Sequence, residues 1–108
     1  NIILRNLADI LTDSVRNGDI VARYGGEEFG IVLPRANLND ALQICERLRK
    51  KIESTDFVVG NSTIKLTVSM GISSKNYYHS SNIIEIMKKA DMKLYEAKNK
   101  GRNRIEAI

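Results

Sequence analysis

Arg23-Tyr24-Gly25-Gly26-Glu27-Glu28-Phe29 lies between two β-prone runs, Ile20 to Tyr24 and Phe29 to Leu33. Two adjacent glycines between such runs are a hairpin signal, because tight hairpin turns need positive φ angles. The pair also leaves the tip without side chains, so backbone N–H groups can come close to phosphate oxygens. Glu27 and Glu28 follow directly. Hard divalent cations take oxygen ligands, commonly one or two carboxylates plus substrate phosphates. If the strand is already extended here, the two side chains point to opposite faces and share one ion only where the turn is twisted. On spacing alone the tip is a hairpin with solvated carboxylates.

Upstream, Ile3, Leu7, Ile10, Leu11 and Val15 recur at three- and four-residue spacing and predict an amphipathic helix. Asn17-Gly18 is expected to close it, since glycine tolerates the left-handed conformation of a helix end. The helical pattern is already running at Ile2, and a helix without a cap suggests a chain cut from something longer. Downstream, Pro34 ends the second run. Leu38, Ala41, Leu42, Cys45, Leu48 and Ile52 predict a second helix with Asn37 as its N-cap. Phe57-Val58-Val59, a Gly60-Asn61 turn and a run from Thr63 to Ile72 predict another hairpin. In that run Ile64, Leu66, Val68, Met70 and Ile72 share one face. Lys65, Thr67, Ser69 and Gly71 share the other, expected to be free for solvent or ligand. A third helix is predicted from about Ser81 to Asn99 on a stripe of Ile83, Met87, Ala90, Leu94 and Ala97. Gly101 stops it, and Arg104 to Ile108 is expected to return as an edge strand.

Helix, hairpin, helix, hairpin, helix, strand is the order of an α+β domain. The expected architecture is a ferredoxin-like, mostly antiparallel sheet with helices packed on one face. It lacks a leading strand before the first helix, so it is incomplete at its N-terminus. The chain has 108 residues, 43% hydrophobic and 28% charged, which fits one folded domain rather than a disordered segment. No apolar run is long enough to span a bilayer, and no cleavable signal opens the chain. Cys45 is the only cysteine; it falls on an apolar stripe and reads as a small core residue, with no internal disulfide available. These features predict a cytoplasmic protein with no membrane contact from this segment. The net charge of +4 favours an anionic partner without choosing one. His79, the lone histidine, has no sequence partner and is expected at the surface.

The hairpin signature resembles the active-site motif of GGDEF-type diguanylate cyclase domains, in the variant with Glu at the third position. Leu66-Thr67-Val68-Ser69-Met70-Gly71-Ile72 is similar to the family's later strand. Ala90-Asp91, Leu94-Tyr95-Glu96-Ala97-Lys98 and Gly101-Arg102-Asn103 are similar to its last helix and the turn after it. The resemblance runs in order over essentially the whole chain, and makes residues 1–108 a partial GGDEF domain. It implies a nucleotidyl-cyclase-type sheet and condensation of two GTP molecules into cyclic di-GMP with release of pyrophosphate, in a homodimer, with Mg2+ or Mn2+. Glu27 is implied as a metal ligand that helps activate the 3′-hydroxyl, Glu28 as a second metal-site carboxylate, and Gly25 and Gly26 as the surface against the phosphates. A metal lowers the cost of deprotonating the hydroxyl and offsets phosphate charge.

Lys98, Lys100, Arg102 and Arg104 gather at the end of the last helix. Positive charge there complements the helix dipole, worth about 0.3–1 kcal/mol per residue. Four such groups exceed what capping needs, and the resemblance assigns Lys98 and Arg102 to phosphate contacts. Arg16-Asn17-Gly18-Asp19 carries the family's Arg-x-x-Asp pattern ahead of the signature, which implies an inhibitory product site at Arg16 and Asp19 with Arg47 in support. An arginine can grip a phosphate or a guanine edge, and an aspartate can accept from guanine N–H groups.

The family also has an earlier strand with a metal-site aspartate and a helical segment that contacts guanine, and no residue here matches them. This chain alone is therefore expected to turn over GTP poorly. One rival reading is a non-catalytic receptor for cyclic di-GMP or GTP, which would not need two metal-binding carboxylates. A nucleic-acid-binding sheet is the other rival, but such sheets display stacking aromatics, and the face of Lys65, Thr67, Ser69 and Gly71 has none. No nucleic-acid polymer is expected as partner.

Overall fold

The computed structural model of the chain describes residues 1–75 and 82–108. The elements are α1 (Ile2–Ser14), β1 (Ile20–Gly25), β2 (Glu28–Val32), α2 (Leu38–Glu53), β3 (Phe57–Val59), β4 (Ser62–Ile64), β5 (Met70–Ile72), α3 (Ile83–Asn99) and β6 (Ile105–Ala107). The α+β class and the order of elements match the expectation. His79 and the predicted helix start at Ser81 fall outside the described residues.

Both hairpins form where the glycines lie. In the first, Ile20 pairs with Val32 and Arg23 with Phe29; in the second, Phe57 pairs with Ile64 across a Gly60-Asn61 turn with Gly60 at φ +61°. Asn37 caps α2 as predicted, its Oδ1 accepting from the Asp40 N–H at 2.8 Å. Asn1 caps α1, accepting from the N–H groups of Ile3 and Leu4, so this helix has the cap its sequence pattern did not reveal. Gly18 does not close α1. The helix ends at Ser14, Val15 is extended, and Gly18, at φ +93°, serves the turn that follows.

The main core is where α1 and α2 meet the two hairpins. Leu7, Leu11, Ile44, Leu48, Ile52 and Phe57 are buried, and Val21, Phe29 and Ile31 of the first hairpin pack against them. Burying each such side chain contributes about 1.5–3 kcal/mol. The first hairpin is thus anchored by its inward face while its tip stays outside. A smaller cluster of Ala41, Cys45 and Ile72 ties α2 to β5.

Two further sequence expectations differ from the structure. Thr63 to Ile72 is not one continuous strand: β4 ends at Ile64, β5 begins at Met70, and residues 65–69 lie outside any ladder. The alternation nevertheless holds, since Leu66, Val68 and Met70 pack on the core while Lys65 and Thr67 are exposed. Among the described residues, pairing is spread over three two-stranded ladders, β1–β2 and β3–β4 antiparallel and β5–β6 parallel. Nor does Gly71 face solvent. A Cβ there would lie 2.1 Å from the Ala90 carbonyl oxygen and 2.2 Å from the Leu94 nitrogen, so α3 packs backbone to backbone on that side of β5. Because α3 is held at Ala90 to Leu94, its upstream stripe overhangs: Ile83 and Met87 are exposed, and only Ala97 is fully buried.

Candidate active site

The tip of the first hairpin is built by an irregularity. The register shifts between Arg23 and Gly25, which leaves Tyr24 as an extra residue and sharpens the local twist. Gly25 then pairs with Glu28, and Gly26-Glu27 form the turn, with Gly26 at φ +40°, a conformation that favours glycine. Arg23 Nε donates to the Gly26 carbonyl at 2.8 Å and braces the turn.

Glu27 therefore sits in the turn and Glu28 opens β2, so the two carboxylates are not successive residues of one flat strand. Both line one open cleft of about 510 Å³, together with Leu4, Arg23, Gly25 and Gly26. Leu4 and Arg23 were not singled out from the sequence. Leu4 falls off the buried stripe of α1, and the arginine before Gly-Gly was the only available sign of a brace. Among the described residues no three His, Cys, Asp or Glu side chains are grouped to hold a metal ion unaided. Two carboxylates on a glycine turn do suit Mg2+, which takes few protein ligands and fills its shell with phosphate and water.

The basic cluster separates into two kinds of residue. Lys100 is neutralised, 3.1 Å from Glu106 and 3.6 Å from Glu96, and the Glu96 carboxyl is held below its ordinary range by hydrogen bonding to Lys93 and by Lys100. Half-buried Lys98 and exposed Arg102 have no ion pair among the described residues. Neither lines the cleft with Glu27 and Glu28.

Arg16 to Asp19 closes on itself. The Asp19 N–H donates to the Arg16 carbonyl at 3.0 Å, and Asp19 Oδ2 accepts from the Arg16 N–H at 2.7 Å, with Arg16 Nε 3.6 Å away. The Asp19 side chain is wholly buried, and its Oδ1 has no hydrogen-bond partner among the described residues. Such an acceptor is costly to leave unmet. Arg35 donates to the Asn17 carbonyl and lies against Gly18, a contact that no local pattern signals. Arg47 is exposed on α2.

The site is thus a hairpin tip carrying Gly-Gly-Glu-Glu on an α+β scaffold, and comparison with known proteins finds that combination in one family. The family described as "Diguanylate cyclase, GGDEF domain" matches residues 1–104. The chain belongs to the GGDEF domain family. It is 39% identical over 105 residues to diguanylate cyclase A of Treponema denticola, covering 97% of this chain and 28% of that protein. It is 42% identical over 106 residues to diguanylate cyclase DosC of Escherichia coli, covering 96% of this chain and 22% of that protein. The chain thus spans about a quarter of the length of these curated relatives. Among solved structures, the active GGEEF domain of a diguanylate cyclase from Vibrio cholerae superposes with a TM-score of 0.84 at 31% identity, covering 97% of this chain and 65% of that one. The GGDEF domain of DgcB from Caulobacter crescentus, in complex with c-di-GMP, gives 0.86 at 29%, covering 97% and 62%.

Proposed function

We propose that residues 1–108 form part of a diguanylate cyclase catalytic domain. The reaction joins two GTP molecules: each 3′-hydroxyl oxygen bonds to the α-phosphorus of the other nucleotide, each α–β phosphoanhydride breaks, and two pyrophosphates leave with one cyclic di-GMP. Two facing domains, each holding one GTP, supply that geometry, which makes a homodimer the working unit. The observation that carries the proposal is the placement of Glu27 and Glu28 on one cleft with the bare Gly25-Gly26 backbone.

Glu27 and Glu28 would hold a Mg2+ or Mn2+ ion, which would supply screening of the phosphate charge and a lower cost of deprotonating the 3′-hydroxyl. Glu27 receives or relays that proton. Gly25 and Gly26 admit the phosphates, and Lys98 and Arg102 offset their charge from the end of α3. Arg16 and Asp19, with Arg47, form a product site: the unmet Asp19 Oδ1 suits a guanine N–H donor, and Arg16 a phosphate or base edge. No helix among the described residues is long and apolar enough to cross a membrane. Use of GTP as substrate supports a cytoplasmic location for this domain.

The test is product analysis. The protein at its full natural length, its Glu27→Gln variant and residues 1–108 alone are each incubated with GTP and Mg2+, and cyclic di-GMP is quantified. Product from the full-length protein alone supports the cyclase and the poor turnover of this segment. No product from a folded, dimeric protein overturns the enzyme reading and leaves a cyclic di-GMP or GTP receptor.

A further inference from the structure

Past the end of α3 the chain takes a demanding path. Gly101, Arg102 and Asn103 have φ angles of +120°, +63° and +48°, so two residues with side chains stand in succession in the left-handed region. That region disfavours any residue with a Cβ, asparagine least. Something must hold the backbone there. The Arg102 N–H donates to the Ala97 carbonyl at 2.9 Å, which fixes the turn on its helix side. On the other side Asn103 is gripped by α2, half the chain away in sequence. Its Oδ1 accepts from Arg49 Nη1 at 2.9 Å, and its Nδ2 donates to Glu53 Oε2 at 2.6 Å.

Arg49 is itself held in place. Its Nε and Nη2 fork onto the two carboxylate oxygens of Glu46 at 2.6 and 3.0 Å, and its side chain is only 14% exposed. The hydrogen bond from Arg49 keeps the Glu46 carboxyl below its ordinary range, so the fork stays charged near neutral pH. Glu53 Oε1 lies 3.7 Å from Arg49 Nη1, which completes a four-residue cluster across α2 and the turn. Asn103 meets one donor and one acceptor, and only an amide of this length offers both complements. Meanwhile the Arg102 side chain is exposed and without an ion pair among the described residues. Its backbone is locked on both flanks while its guanidinium is left available.

We infer that Asn103 is a positioning residue: clamped between Arg49 and Glu53, it holds Arg102 in the left-handed turn from which its guanidinium meets GTP phosphate. This rests on the reading of Arg102 as a phosphate contact. Preorganised donors lose less on binding than mobile ones, so the clamp acts on GTP affinity more than on the chemical step.

The polarity of the clamp supplies its test. Asn103→Asp keeps the acceptor for Arg49 but sets a carboxylate against Glu53. Glu53→Gln alone retains an acceptor for the Asn103 amide and is nearly silent. The two substitutions together exchange donor and acceptor and restore both hydrogen bonds. Steady-state cyclic di-GMP synthesis and calorimetric GTP binding with Mg2+ are measured on the full-length protein, with thermal melting of every variant. Arg102→Ala raises KM for GTP by about tenfold; Asn103→Asp raises it about three- to tenfold with kcat within about twofold; the Asn103→Asp/Glu53→Gln pair returns it to within about twofold; and Asn103→Asp adds nothing on the Arg102→Ala background. The clamp alone is overturned if Arg102→Ala weakens GTP binding while Asn103→Asp does not, if the pair fails to rescue, or if the Arg102 and Asn103 effects multiply. An Arg102→Ala protein with unchanged GTP affinity overturns the phosphate-contact reading, and the clamp's purpose with it.

Discussion

Arg23 and Gly26 are joined by a 2.8 Å hydrogen bond from the arginine Nε to the glycine carbonyl, across the turn that presents Glu27 and Glu28. The bond is exposed, so its loss changes net stability little, by about 0.5–1.5 kcal/mol at most. Its effect on the site is larger, because a carboxylate displaced by an ångström can cost about a hundredfold in rate. Arg23→Ala is expected to lower cyclic di-GMP synthesis at least about tenfold while shifting the melting temperature by only a few degrees. A variant with undiminished turnover removes Arg23 from the working site.

Gly71 sets how closely β5 approaches α3. Both atoms a Cβ would strike hardest, the Ala90 carbonyl oxygen and the Leu94 nitrogen, belong to helix backbone and cannot rotate away. Overpacking against a flexible side chain costs about 1–3 kcal/mol, and this case lies at or above the upper end. Gly71→Ala is expected to lower the melting temperature by more than about 10 °C. Calorimetry or far-ultraviolet circular dichroism decides it. An unchanged melt would mean that α3 does not dock on β5 in solution.

What the sequence made legible is local. The Gly25-Gly26 hairpin, the Asn37 cap and the two helical stripes over the main core each follow from a few neighbouring residues. The break at residues 65–69 was hidden because alternation reports side-chain burial, which persists at Leu66 and Val68, and says nothing of where the backbone finds partners. Gly71 was misread for a related reason: a small residue on a strand face fits open solvent and a tightly docked helix equally well. The Arg49–Asn103 contact spans 54 positions, and no local period can announce it. Lys98 and Arg102 were legible as unusual charge, but only the structure separates them from Lys100, which Glu96 and Glu106 already occupy.

Burial of the Asp19 carboxylate with Oδ1 unmet leaves an acceptor that a donor-bearing ligand at the Arg16–Asp19 turn could satisfy, as the proposed product site requires. Asp19→Asn preserves size but removes the charge, and Arg16→Ala removes the guanidinium while leaving its backbone N–H to the turn. Each is expected to weaken cyclic di-GMP binding by about ten- to a hundredfold, the scale of a lost charge-assisted contact. Arg47→Ala, altering an exposed side chain, is expected to do less. Calorimetric titration with cyclic di-GMP measures all three. Release of product inhibition should accompany the loss of affinity. Unaltered binding in both Asp19 and Arg16 variants would rule the turn out as a product site.

Cys45 lies in the smaller core against Ala41 and Ile72, and burial pushes its thiol from 9.0 up to about 11. Below pH 9 both folded and unfolded chains keep the thiol proton, and the group adds no pH dependence. As pH rises past 9 the unfolded chain gives up its proton while the folded one retains it, so unfolding becomes progressively easier. Stability supplied by the neutral buried thiol is thus complete below about 9 and lost by about 11, where both forms ionise. Urea unfolding of the wild type and of Cys45→Ala isolates this group, because the lysines and tyrosines that titrate in the same range are common to both. The wild type is expected to lose about 1.4 kcal/mol relative to the variant between neutral pH and pH 10. In parallel, the native thiol should resist alkylation at about pH 8 and react readily once urea unfolds the chain. A stability difference that stays flat with pH, together with rapid alkylation of the folded protein, would show that Cys45 is open to solvent and that α2 is not seated on β5 as described.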